Sequence, residues 1–338
     1  MSFHYESTVA GYARAAVDLR TRMIEYTRTP LARTFVESFL DDRDSGGPEL
    51  SAAVTNVFTR VVHQPWQDGE SYVLAPAMTA IIAAAAQALD LSGDIIGNDV
   101  APSDAGVLFL PEPIYERRTD GRVTSLGAIA WAKFHNTESG RTGWWITGWA
   151  DLNDPLDPSA VQRRRLLAQR PDLAAEIGPY MLHTFSEIPI GIPVSEIHEM
   201  PQVEDRDWET APDGRYCLDQ PSMRMKAATA VLYAFWRIQE QPLAIVARPP
   251  LDRPARRRAQ RSGLRHDTRV VMLRRTKPVS EPISEAKWRY RVRFVVRGHW
   301  RRLTNANGQP YRIWIHAHIK GPDGAPMLLG ETVSVLAR

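Results

Sequence analysis

Between Trp288 and Arg302 the chain alternates without a break. Even positions carry Trp288, Tyr290, Val292, Phe294, Val296, Gly298 and Trp300, and odd positions carry Arg289, Arg291, Arg293, Val295, Arg297, His299 and Arg301. A period of two belongs to a β-strand, whose successive side chains point to opposite faces, so the segment is not expected to be a helix. One face is apolar and the other is a line of cations. Tyr311 to Lys320 repeats the pattern across a loop containing Asn305, Asn307 and Gly308. There Tyr311, Ile313, Ile315, Ala317 and Ile319 go one way, and Arg312, Trp314, His316, His318 and Lys320 go the other. An antiparallel hairpin is expected, its polar face a basic plate with an exposed Trp314.

Helical spacing dominates the other end of the chain. Val9, Tyr12, Ala16, Leu19, Met23 and Tyr26 recur three and four apart, after Ser7 as a cap and before Pro30. Further helices are expected over 31–41, from Leu50 to Val62 and from Ala77 to Leu91, with a loop over 42–48. From Gly106 onward strands take over: Val107 to Leu110, stopped by Pro111-Glu112-Pro113, then Val123 to Phe134 and Trp144 to Trp149. A helix begins near Pro158, and another follows Asp219 and Pro221, with Ala228, Val231, Leu232, Phe235 and Ile238 on its buried side. Strands are expected again at Val270 to Leu273 and at Leu328 to Leu336. The fold class read from this order is α+β: an N-terminal helical bundle over 1–100, packed with a mostly antiparallel sheet domain over 101–338. Helices in an insert at 155–262 would cover its apolar face.

The net charge of +3 hides a separation of sign. Arg248 to Arg302 holds 18 Lys and Arg against 4 Asp and Glu, while Glu187 to Asp213 holds eight carboxylates and one arginine. Because 37 of the 42 basic residues are arginine, the choice of Arg over Lys reflects overall composition, and only placement is informative. No apolar run reaches the ~20 residues of a membrane-spanning helix, the first residues do not read as a signal peptide, and one cysteine, Cys217, excludes an internal disulfide. A cytoplasmic protein is expected.

Cations in a row for phosphates, with an aromatic for stacking, are the footprint of a nucleic-acid-binding surface. The residues assigned to it are Arg289, Arg291, Arg293, Arg297, His299, Arg301, Arg312, Trp314, His316, His318 and Lys320. Two other readings stand beside this one. The plate is a solvated outer face, or the acidic stretch 187–213 lies across it. Neighbouring like charges cost stability, which favours an anionic partner. That partner is nucleic acid, with an acidic protein as the alternative; a nuclease-like enzyme acting on phosphodiesters, with His299 as acid or base, is a further alternative. No cofactor is expected.

At these residues the sequence also resembles a known group. Val296-Arg297-Gly298-His299-Trp300-Arg301-Arg302, then Trp314-Ile315, then Ile319-Lys320-Gly321-Pro322 is similar to a C-terminal signature of uncharacterised proteins from actinobacterial plasmids, integrative elements and phages. Phe109 to Ile114 and Ala128 to Trp131 are similar to its middle section, while Leu303 to Gln309 departs from its Pro-Gly-rich turn. The resemblance covers roughly 100–338, and implies a mobile genetic element but no activity.

Weaker candidates remain. His316 and His318 on one strand face and His299 on the facing strand would make a zinc set if they converged, but nothing in the sequence fixes their register and no carboxylate is near in sequence. Glu112 with Glu116, and Asp151 with Asp154, read first as turn and cap residues. Trp131, Phe134, Trp144, Trp145 and Trp149 read as core, and Cys217 as inert. Glycine-rich phosphate loops, dinucleotide fingerprints, zinc-protease motifs and nucleophile elbows are absent.

Overall fold

Alanine lets the first helix lie close against its neighbours. α1 (Val9–Thr27) starts at Thr8, whose hydroxyl accepts from the Gly11 N–H at 3.0 Å, and it buries Ala13, Ala16, Val17, Leu19 and Met23. The computed structural model describes residues 3, 8–41, 48–117, 123–135, 140–194, 217–219, 225–264, 267–274, 294–296, 298–306, 308 and 310–320. Contacts divide the chain into two units, Met1–Leu273 and Arg274–Arg338, and no unit boundary falls near residue 100.

After α1 the first unit runs through α2 (Pro30–Asp41), α3 (Pro48–Asp68), β1 (Glu70–Leu74), α4 (Pro76–Gln87), β2 (Ala105–Arg117), β3 (Val123–His135) and β4 (Thr142–Asp151). It continues with α5 (Pro158–Ala168), α6 (Pro171–Glu176), β5 (Tyr180–Pro189), β6 (Cys217–Asp219), α7 (Ala227–Ile238), β7 (Ala244–Ala247), α8 (Arg253–Arg261) and β8 (Thr268–Leu273). One sheet takes the order β5-β4-β3-β2-β1-β8-β7, with β6 beside the far half of β2. β1 is parallel to β2 and to β8, and β6 is parallel to β2; the remaining neighbours are antiparallel. The α+β class with a mostly antiparallel sheet is therefore what the chain adopts.

The first hundred residues also supply a strand. β1 lies inside the sheet, and α1, α3 and α4 pack on β-strands. Tyr72, Val73 and Leu74 are all buried, because this strand is covered on both faces, and such a strand shows no alternation. Both sides of the sheet are aromatic. Trp66 of α3 meets Trp149 edge-on at 5.3 Å and Phe109 at 5.9 Å. On the opposite side Trp236 of α7 meets Trp131 at 5.9 Å and Trp144 at 5.4 Å, and Phe235 meets Tyr72 at 5.2 Å. Trp145 stacks between Phe58 and Phe134. The tryptophan cluster is core.

Several expected boundaries move. β2 is not stopped by Pro111 and Pro113; it passes through them as an irregularity between Phe109 and Ile114. The helix expected from Pro158 breaks at Pro171 into α5 and α6, which bury only Ala160 and so cover little of the sheet. Strands β5 and β7 were not expected. Gly127 and Gly148 admit a sharp bend: a Cβ at 127 would stand 2.9 Å from the Asp151 Cβ, and one at 148 would stand 2.5 Å from Thr184 Cγ2. His183 is the extra residue of a bulge in β5 opposite Gly148 and Trp149. Through this curl Glu116 on β2 meets His183 on β5, although β3 and β4 lie between them in strand order.

The second unit is described by β9 (Phe294–Val296), β10 (His299–Thr304), β11 (Pro310–Ile315) and β12 (His318–Lys320). Sequence expectations for Trp288 to Arg293 and Leu328 to Leu336, and for the acidic stretch from Ser195 to Asp213, fall outside the described residues. Among the described residues no helix is long and apolar enough to cross a membrane.

Candidate nucleic-acid interface

The expected hairpin forms, and its register decides which cations share a face. β10 pairs antiparallel with β11: His299 lies opposite Ile315, Trp300 opposite Trp314, Arg301 opposite Ile313, and Arg302 opposite Arg312. β9 and β12 keep the same register beyond a break in the ladder, with Val296 opposite His318 and Phe294 opposite Lys320. Directly opposed residues of an antiparallel pair stand on one face. Odd residues therefore oppose odd residues. The single plate read from the alternation required odd residues of one strand to join even residues of the other, and it does not form.

Two different faces result. His299 and Arg301 share one with the half-buried Leu303, Tyr311, Ile313 and Ile315. The other carries Trp300, Arg302, Arg312 and Trp314, with exposed His316 and His318 further along the strand. Arg302, which the sequence reading left out, is exposed and belongs to this second face; its even position beside Trp300 was visible in the alternation. Arg289, Arg291, Arg293 and Arg297 lie outside the described residues.

Trp314 is not an exposed stacking residue. It is 4 % exposed, its ring edge-on to Trp300 at 5.4 Å. A Cβ at Gly298 would stand 2.5 Å from Trp314 Cζ2, so the glycine makes room for the indole to lie over the neighbouring strand. The two tryptophans pair directly across the ladder on the same face as the Arg302–Arg312 pair. Two imidazoles are tied to the backbone: His316 Nδ1 donates to the Ala317 carbonyl at 3.0 Å, and His318 Nδ1 to the His316 carbonyl at 3.1 Å. By register His299 stands on the opposite face from His318, and the described residues hold no group of three or more metal-ligating side chains.

Of the four carboxylates read as turn and cap residues, Glu116, Asp151 and Asp154 have partners within the first unit, and Glu112 is exposed. Glu116 Oε2 lies 3.3 Å from His183 Nε2, both side chains about one-tenth exposed. Asp154 accepts from the Tyr115 hydroxyl at 2.6 Å and from the Leu156 N–H at 2.9 Å. Asp151 accepts from the Asn153 N–H at 2.8 Å, a turn contact. The Glu116–His183 pair was not legible beforehand, because the residues are far apart in sequence and only the curl of the sheet joins them. Comparison of the chain with protein families, with curated proteins and with solved structures finds no match.

Proposed function

We propose that this is a nucleic-acid-binding protein whose hairpin meets phosphates through the face of Arg302 and Arg312, flanked by His316 and His318. The observation that carries the reading is the Arg302–Arg312 cross-strand pair. Two guanidinium groups directly opposite one another weaken a ladder. No Asp or Glu occurs between Glu285 and Asp323 in the sequence, so the hairpin supplies no carboxylate of its own to this pair. A polyanion is attracted by this concentration of positive charge, and counterion release drives its binding. Because Trp314 is buried, contact runs through the backbone without base stacking, and duplexes, with their denser charge, are favoured over single strands. The resemblance to proteins of plasmids, integrative elements and phages adds a mobile-element setting to the proposal.

Fluorescence anisotropy on labelled duplex and single-stranded oligonucleotides across a salt series tests it. Replacing Arg302→Glu and Arg312→Glu together should flatten the slope of log K against log salt by about 1.8, at about 0.9 per lost phosphate contact on duplex DNA. Binding to all sequences should weaken alike. A folded wild-type chain that binds neither oligonucleotide at ~50 mM salt, where electrostatic binding is strong, overturns the reading.

A further inference from the structure

We infer that α8, in the first unit, is a second contact surface for the phosphate backbone of a nucleic acid; this rests on the functional reading above. The helix RPARRRAQR has a buried side of Ala255 and Ala259, both 0 % exposed, with Leu251 and Leu264 closing its ends. Asp252 caps it, its carboxylate accepting from the Ala255 N–H at 2.8 Å. Gly263, at φ 68°, ends it, and the Leu264 N–H returns to the Ala259 carbonyl at 2.9 Å. Arg258 is the clamp to α1, donating to both oxygens of Asp18 at 2.7 and 3.0 Å. What remains outward is Arg253, Arg256, Arg257 and Arg261, all exposed. The ridge is thus held on a rigid element, not on a loop.

Ordinary solvent-facing helices do not account for this ridge. Arg253, Arg257 and Arg261 stand four residues apart in succession, where like charges repel. On α2 the same spacing is used with opposite signs, Arg33 bonding Glu37 at 3.1 Å. On α8 no Asp or Glu follows the cap until Asp267, and among the described residues no carboxylate pairs with any of the four outward arginines. The helix dipole favours cations in the last turn, which would suit Arg258 and Arg261, but it disfavours Arg253 at the first position. Successive arginines of the row stand roughly 6 Å apart along the axis, close to the separation of consecutive phosphates on one strand. A continuous row of like charge fits a polyphosphate better than a mixed-sign protein surface.

The test uses the full chain with Arg253→Gln, Arg257→Gln and Arg261→Gln combined, which leaves the Asp252 cap and the Arg258–Asp18 clamp intact. Anisotropy on a labelled duplex should show the salt slope flattened by about 2.7, at about 0.9 per contact, with the thermal midpoint unchanged or raised. The matching triple Lys variant should keep the wild-type slope, because charge and not guanidinium geometry is at work. An unchanged slope in the Gln variant, while Arg302→Glu with Arg312→Glu still flattens it, overturns the α8 assignment and leaves the hairpin reading standing. A flattened slope in the Gln variant alone supports α8 and overturns the hairpin. A wild-type chain that binds no oligonucleotide overturns both, and leaves an acidic protein as the partner to seek.

Discussion

Arg20 and Arg269 in the first unit and Arg302 and Arg312 in the second are the same residue in two physical situations. Arg20 is 2 % exposed and donates to the carbonyls of Trp66, Gln67 and Gly69, at the C-terminal end of α3, where helix carbonyls lack intrahelical partners. Arg269 bonds both carboxylate oxygens of Glu70 and lies over the Tyr72 ring at 5.1 Å. Burial pushes the Glu70 carboxyl up, but the hydrogen bonds from Arg269 and Tyr72 outweigh it and hold the group below its ordinary value. Arg302 and Arg312 face each other across a two-stranded ladder. The difference teaches that a buried cation is placed by acceptors the fold must satisfy, whereas two cations of like sign opposed across a ladder weaken that ladder.

Arg20→Met should break this comparison most visibly. It leaves carbonyls at the end of α3 without their donor, and about 3–5 kcal/mol of stability should be lost in a denaturant melt. A loss under ~1 kcal/mol would mean those carbonyls are solvated, and the buried-acceptor half of the contrast would fail.

The imidazoles extend the contrast and give a smaller, pH-dependent effect. His63 shares a hydrogen bond of 2.7 Å with the Thr27 hydroxyl, and burial, with the positive charge of Arg28, lowers its pKa. The folded state therefore favours the neutral ring. Above about pH 6.5 the ring is neutral in both states and its contribution is fully present. As pH falls below that value the unfolded chain takes up the proton first, and stability is lost down to the folded-state pKa. Thermal midpoints of the wild type should drop more between about pH 7.5 and 5 than those of His63→Gln. Equal drops would show that His63 titrates alike in both states.

The smallest effect belongs to the hairpin. Arg312→Glu places a carboxylate opposite Arg302 and should raise stability of the second unit by about 0.2–1 kcal/mol, read as a shift in its own unfolding transition. The same variant should weaken duplex binding, so that stability and binding move in opposite directions. Stability that falls instead would show that the contacts Arg312 makes outweigh the repulsion from Arg302.

Much of the fold was legible. α1 and the buried side of α7 follow from apolar spacing, although Thr8 and not Ser7 caps α1, and α7 begins at Ala227, with Asp219 in β6 instead of opening the helix; α8 was not expected as a helix. The hairpin follows from its alternation. β1 was not legible, since five residues buried on both faces, Glu70 excepted, read no differently from a piece of helix. Nor was the passage of β2 through Pro111 and Pro113, because prolines end a regular ladder but are tolerated where it is irregular.

For the candidate site the division is sharper. The chain by itself determined that residues around 294–320 form strands, that each strand has a cationic side, and that no carboxylate interrupts them. Which cationic sides coincide was decided only by the tertiary structure. Pairing Thr304 with Pro310 across residues 305–309 sets Arg302 against Arg312 and sends Arg301 to the other face, and a shift of one residue would have reversed both. Alternation is a local property of each strand. Register belongs to the pair, and is set by the turn and by what the opposed side chains, here Trp300 and Trp314, can pack against.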